Sequence, residues 1–307
     1  MATGAELNYD RNATAEEMAE TIFGDGVEVT DASYTGDWRS SAIYSGGDSL
    51  APGATPSDSG LILSTGRADR YTNSSGDPNR SGSQSSNTKG ENNNSDFNAA
   101  AGTRTYDASY LDVTFVPDGD HITMQFVFAS EEYPEYINSI YQDFVGVWVN
   151  GEFVDVEFGN GDADPGNINS GTNENLFLDN TGDAYNTEMD GLTVTMTLTI
   201  PVNAGEENDL RIGIADVSDS SYDSNLLIAA DSVQSSLVAM TDSTYLNPEG
   251  TKTIDVLSND EAPDGATLTI THINGIAATD GTTVTLTNGH TGKLTAYGTL
   301  PLAGEGD

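Results

Sequence analysis

The sequence predicts an all-β protein: an antiparallel β-sandwich of jelly-roll-like type with one short N-terminal helix, followed by a smaller immunoglobulin-like or cadherin-like β module. Three observations carry this reading. Leu192-Thr-Val-Thr-Met-Thr-Leu-Thr-Ile200 alternates strictly, apolar residues on one face and Thr on the other, as a half-buried antiparallel strand does. Asn150-Gly151 stands between two apolar runs and signals a tight hairpin. Three strand-like runs also begin or end on carboxylates. His121–Ser130 runs into Glu131-Glu132, Asp143 introduces Phe144–Val149, and Asp209–Asp216 leads to Asp219 and Asp223.

Taken in order, the elements begin with a helix. Thr14 and Glu17 form a capping-box pattern, Met18, Ile22 and Phe23 share a face, and Gly24 and Gly26 stop it. Strands are then predicted at Val27–Thr30, Gly60–Ser64, Tyr110–Val116, Ile122–Ala129, Phe144–Val149, Phe153–Phe158, Leu192–Ile200, Leu210–Ala215 and Leu226–Ala230. Two insertions interrupt them. Tyr71–Gly102 is rich in Asn, Ser and Gly, and Gly159–Tyr185 in Asn, Asp and Gly. Composition alone favours disorder in both; loops ordered by ions or neighbours are the alternative. Near Ser235-Ser236 the texture changes to short alternating runs at Thr253–Leu257, Thr267–Ile273, Thr282–Thr287 and Lys293–Thr295, separated by Asn-Asp, Asp-Gly and Asn-Gly turns. Two domains follow, 1–236 and 237–307.

Composition limits what the protein can do. Its 307 residues include 49 acidic and 10 basic ones, a net charge of −39. Such a charge opposes binding to nucleic acid or anionic lipid, and self-repulsion destabilises the compact state unless cations neutralise it. Salty surroundings or plain solubility would also account for the acidity. The absence of Cys argues against redox and zinc-thiolate chemistry. No run approaches a membrane span, and the N-terminus lacks the basic and apolar regions of a standard signal peptide.

Carboxylates at strand ends suit a hard cation, because they supply oxygen ligands from a rigid sheet without charging the strand interior. The predicted calcium ligands are Asp107, Glu131, Glu132, Asp143, Asp216, Asp219 and Asp223, with Ser130, Ser224 and Asn225 available to complete the shell. Chance adjacency of solvated acids is the competing reading. Asp162, Asp164, Asn167 and Asn169 lack a closing Glu at the twelfth position, so a turn outweighs an EF-hand-like loop. Asp255, Asp260 and Asp264 are further cation candidates, although Asp-Gly turn chemistry explains Asp264 equally well.

Catalytic signals are weak. His121, His272 and His290 have no zinc spacing, and no Gly-x-Ser-x-Gly is present. Glu131 and Glu132 are adjacent and would point to opposite faces, which suits a glycosidase pair poorly. Trp38 and Trp148 could stack on sugars, but Trp148 lies in a strand run and reads as core. Tyr133–Tyr141, in a loop, reads as a contact surface.

Several motifs agree with a known family. Gly60-Leu-Ile-Leu-Ser-Thr-Gly66, Tyr106-Asp-Ala-Ser-Tyr-Leu111, Phe128-Ala-Ser-Glu-Glu-Tyr133 with Asn138 and Asp143-Phe-Val-Gly146, Asp190-Gly-Leu-Thr193, and Ile214-Ala-Asp-Val-Ser-Asp219 with Tyr222-Asp-Ser224 resemble the bacterial choice-of-anchor L domain over about residues 5–235. The resemblance implies a secreted or cell-surface protein and says little about mechanism. Asn247-Pro-Glu-Gly250, Ile254–Asp260 and Asp264–Leu268 resemble cadherin-like or Ig-like modules of bacterial adhesins. Such modules normally continue beyond the Gly298-Thr-Leu300 turn. The expected protein is therefore a non-enzymatic, extracellular, calcium-stabilised adhesion or structural protein. Its partners would be surface glycan, protein or other copies of itself in a filament or matrix. A lectin-like accessory domain or a glycan-active enzyme is the alternative.

Overall fold

The computed structural model describes residues 2–154 and 162–235, and within the remainder the strands of 251–303 with residues 257 and 270. The chain divides into two compact units, Met1–Ser235 and Ser236–Asp307. The first is mostly β, as the alternation and turn signals predict. Its strands are β1 (Asn8–Asp10), β2 (Val27–Thr35), β3 (Ser41–Ser45), β4 (Ser59–Ser64), β5 (Thr105–Pro117), β6 (His121–Ser130), β7 (Phe144–Val149), β8 (Glu152–Phe153), β9 (Phe177–Asp179), β10 (Gly191–Thr193), β11 (Met196–Pro201), β12 (Asn208–Val217) and β13 (Ser224–Ala229). They form two antiparallel sheets. One has the order β1-β3-β4-β13-β6-β10-β9, with β11 also paired to β6; the other is β2-β5-β12-β7-β8.

The main core lies between the sheets and includes Leu61, Leu63, Phe115, Phe126, Phe128, Ile212 and Ile228. Helix α1 (Ala15–Ile22) closes part of it. Its capping box is complete: Glu17 N–H donates to Thr14 Oγ1 at 3.2 Å, and Thr14 N–H donates to Glu17 Oε2 at 2.8 Å. Met18, Ala19 and Ile22 face inward.

Both sheets also carry apolar clusters on their outer faces. Tyr44, Ile62, Tyr71, Val127, Ala129, Leu192 and Leu227 pack outside the larger sheet. Phe97, Tyr110, Phe144 and Trp148 pack outside the smaller one, beneath α3 (Ser95–Ala101). This extra cover is uneven along the strands. β6 alternates between buried and more open positions over its first half and is buried on both faces from Phe126 to Ser130; β5 does the reverse, enclosed first and alternating later. Antiparallel pairing places the enclosed halves at one end of the sandwich, since Ser130 faces Ser224 and Tyr106 faces Asp216. That end carries the acidic motifs.

Several details differ from the sequence expectation. A short helix, α2 (Gly47–Leu50), stands upstream of the Asn-rich insertion, and α3 lies within it. Asn94 starts α3 by accepting from the N–H groups of Asp96 and Phe97, and Phe97 is fully buried. The run Leu192–Ile200 is two strands, not one. Thr193 turns inward, fully buried, and its hydroxyl accepts from Phe128 N–H at 3.1 Å. Trp148 is core, as read, but Tyr133 is not a surface residue. It is fully buried and donates to the Ile168 carbonyl at 2.7 Å. Its aromatic ring lies against Phe177, which outweighs its loop position. Asp162–Asn169 forms turns: Asp164 Oδ1 accepts from Asn167 N–H, and Asn169 Oδ1 from Gly171 and Thr172 N–H.

In the second unit, β14 (Thr251–Asp255), β17 (Thr283–Thr285), β18 (Thr291–Lys293) and β19 (Thr299–Ala303) form one sheet in the order β14-β19-β18-β17. β15 (His272–Ile273) pairs antiparallel with β16 (Ile276–Ala277). Thr299 and Leu300, read from the sequence as part of a turn, belong to β19, which pairs with β14. The predicted strand beyond Val154, most of Thr267–Ile273, the Asp260 and Asp264 candidates and His290 lie outside the described residues, and of Asp255 only its place in β14 is described.

Candidate cation centre

The enclosed end of the sandwich gathers carboxylates from both sheets. Ser224, at the start of β13, is its hub. The Ser224 hydroxyl lies 2.7 Å from Asp143 Oδ2 and 2.8 Å from Ser130 Oγ. Asp143, just before β7, also accepts from Val217 N–H of its own sheet at 2.9 Å, so its bond with Ser224 ties the smaller sheet to the larger. Asp223 is drawn into the same region. Its carbonyl accepts from Glu131 N–H and its Oδ1 from Ser86 N–H, which comes from the Asn-rich insertion. The Asp223 carboxyl lies against Gly66, where a Cβ would stand 2.1 Å from it, so only glycine fits. Asp107 has φ of 46° and sits at the register shift between β5 and β12. Its Oδ1 accepts from Gly90 N–H.

These acids are enclosed. Glu131 is fully buried, Glu132 is 2% exposed, and Asp143, Asp216 and Asp223 are buried with them. Glu131 and Glu132 diverge. Glu131 feels Asp190, Asp223 and Glu188, whereas Glu132 feels Asp143, Asp219 and Glu135. Burial, reinforced by those like charges, pushes the Glu131 carboxyl up to about 10 and the Glu132 carboxyl up to about 9. Burial likewise raises Asp107 to about 6, against the pull of the Gly90 hydrogen bond. Asp143 and Asp216 form a tightly interacting pair that burial pushes upward, and burial raises Asp223 as well. Asp219 is half-buried and accepts from Ser221 N–H, closing its own turn.

The sharpest feature is an acceptor surplus. Eight buried side-chain polar atoms among the described residues have no hydrogen-bond partner, and every one is an oxygen. They include both carboxylate oxygens of Glu131, one each of Glu132, Asp216 and Asp223, and the amide oxygens of Asn79 and Asn225. Buried acceptors normally have donors; a deficit restricted to acceptors is a deficit of positive partners. Hard cations take carboxylate, amide, hydroxyl and carbonyl oxygens, so the donor set fits such an ion. Among the described residues, no group of three or more Asp, Glu or His side chains is placed so that it could hold a metal ion by itself.

The sequence-predicted ligands are thus partly united. Asp143, Asp216, Glu132 and Asp219 form one neighbourhood, Glu131 and Asp223 another, and Asp107 is linked to both Asp216 and Asp223 through their charges. Asn225, anticipated as a shell residue, has the orphaned amide oxygen. Asp190 and Asn79 were not among the predicted ligands. Asn79 Nδ2 donates to Asp190 Oδ1 at 2.6 Å, and Asp190 lies beside Glu131 electrostatically. The Asp190-Gly-Leu-Thr motif was the available signal for the first; nothing marked Asn79 among the many Asn of its insertion.

The fold is a two-layer antiparallel sandwich with polar, acid-rich connections at one enclosed end. The chain belongs to the Choice-of-anchor L domain family, whose model matches residues 6–234. The family points to a bacterial surface-associated protein; the match ends before the second unit. No curated protein and no solved structure matches the chain. No helix among the described residues is long and apolar enough to cross a membrane.

Proposed function

We propose that this is a non-enzymatic, secreted or cell-surface protein of adhesion or structural type, whose sandwich is locked by calcium at its enclosed acidic end. The second unit serves in this reading as an adhesin-type spacer module. The observation that carries the proposal is the surplus of buried, unpartnered oxygens on Glu131, Glu132, Asp216, Asp223, Asn79 and Asn225. A divalent ion would neutralise these groups and tie β6, β12, β13 and the Asn-rich insertion together. Without it, several of these acids hold protons instead.

Burial also supports a non-catalytic role. Glu131 and Glu132 are closed off from solvent and face different neighbours, so they cannot flank one glycosidic bond. Assembly with other copies belongs to the same reading. The edge strand β2 carries exposed Glu28 and Asp31. Their charges oppose edge-to-edge pairing until a cation screens them.

Thermal unfolding and particle size, measured together in calcium, in EDTA and in magnesium at matched ionic strength, test the proposal. A ligand at a hundredfold excess over its Kd adds about 2.7 kcal/mol of stability. A calcium-specific rise in Tm supports the lock, and a simultaneous increase in particle size supports calcium-gated assembly. Equal behaviour in calcium and magnesium overturns the calcium lock.

A further inference from the structure

In a chain with net charge −39, more than half of the ten Lys and Arg residues gather on one surface of the first unit. Arg11 and Arg67 both pair with Asp69 at 2.8 Å. Arg39 pairs with the buried Asp37 at 2.8 Å and donates to the Asn87 carbonyl, and Lys89 N–H reaches the same Asp37. Arg70 follows Asp69 directly and has one long contact, 3.4 Å to Ser86 Oγ. Arg80 stands beyond it, paired with the buried Glu188. Asp69 holds Arg11 and Arg67, Asp37 holds Arg39, and Glu188 holds Arg80, whereas the Arg70 and Lys89 side chains form no ion pair among the described residues.

Trp38 lies within this surface. It is 64% exposed, and Arg11 sits 5.7 Å from its ring centroid. An indole left this open has no packing role and presents an apolar plate among guanidinium groups. Between Arg70 and Arg80 is a cavity of about 250 Å³ that Asn73, Ser74 and Ser75 also line, together with Glu6 and Asp69. Hydroxyl and amide groups beside arginines suit a ligand that carries both hydroxyls and acidic groups.

We propose that this surface docks an anionic polysaccharide, with one sugar ring stacked on Trp38 and the carboxylate or sulfate groups of neighbouring sugars held by Arg70, Arg39 and Lys89. The proposal gives the adhesion reading a partner; it relies on that reading only for location and not on calcium. Electrostatics favour an extended glycan over a second copy of the chain. The Debye length is about 8 Å at physiological ionic strength, so a narrow polymer lying along the arginines feels chiefly them. A second globular copy would bring its own acidic surface into the same range.

The test is calorimetric titration of the full chain, at fixed saturating calcium, with short oligogalacturonate, with sulfated dextran oligosaccharide and with neutral dextran oligosaccharide. Binding to an acidic glycan is expected, falling with salt, and absent for neutral dextran. The two acidic probes separate carboxylate from sulfate preference. Trp38→Ala is expected to weaken binding about tenfold through lost ring stacking. Arg70→Gln lowers affinity and flattens the salt dependence. Arg104→Gln changes the net charge equally outside the surface, over Tyr106, and leaves binding intact. The three side chains are exposed, so an unchanged Tm in calcium certifies folding. Wild-type affinity in Trp38→Ala, equal losses in Arg70→Gln and Arg104→Gln, or equally tight binding of neutral dextran would each overturn the proposal. Loss of glycan binding with the calcium increment in Tm intact sinks this inference alone.

Discussion

Replacing Glu131 with Gln should have opposite effects with and without calcium. The fully buried carboxyl has both oxygens unpartnered, and burial raises it from an ordinary 4.5 to about 10. At pH 7 without cation, the unfolded chain releases this proton and the folded chain keeps it. Folded-state stability from this group is complete below pH 4.5 and is lost as pH rises towards 10, at about 1.4 kcal/mol per pH unit. Between 4.5 and 7 the loss is about 3 kcal/mol. Gln does not titrate, and its amide can donate towards Asp190 or Asp223. Glu131→Gln should therefore stabilise the calcium-free protein at pH 7 by about 1–3 kcal/mol, once local relaxation is allowed for. For a domain of this size each kcal/mol shifts Tm by about 2–4 °C. In the proposed calcium lock the carboxylate serves as a ligand, so the same variant should lose much of the calcium-induced rise. Differential scanning calorimetry in EDTA and across a calcium series reads both effects. A variant that is less stable than wild type in EDTA yet keeps the full calcium increment would refute the reasoning.

Gly66→Ala should destabilise the fold by about 1–3 kcal/mol, because its Cβ would meet the Asp223 carboxyl. It should also weaken calcium binding, which a calcium titration of Tm would show. Phe97→Ala should cost about 3–5 kcal/mol in urea unfolding, since the ring lies 4.8 Å from Trp148 and 6.0 Å from Phe144. An unchanged urea midpoint would mean that α3 does not hold down the outer face of the smaller sheet. Asp37 accepts from Arg39 and from Lys89 N–H, and the Arg39 guanidinium holds its carboxyl well below the usual range. Its contribution is present above about pH 4 and is lost as pH falls below that. Acid unfolding of Asp37→Asn should therefore begin from lower stability at pH 6 and decline less steeply below pH 4 than that of wild type.

The sequence by itself determined the class of fold, the helix with its cap, the Asn150-Gly151 hairpin, most strand positions and the presence of acids at strand ends. These are local properties: periodicity and turn chemistry act within a few residues. The tertiary structure decided what those acids face. Glu131 and Glu132 are adjacent in sequence, but pairing of Ser130 with Ser224 and the cover of the Asn-rich insertion give them different neighbours and bury both. Asp190 and Asn79 join the Glu131 side only because β10 pairs with β6 and the insertion folds back over that end. Thr193 and Tyr133 moved inward for the same reason: alternation says which face a residue takes, not whether a second layer covers that face. The arginine surface was invisible in sequence. Arg11, Arg39, Arg67 and Lys89 come from separate loops, and shared contacts with Asp37 and Asp69 bring them together.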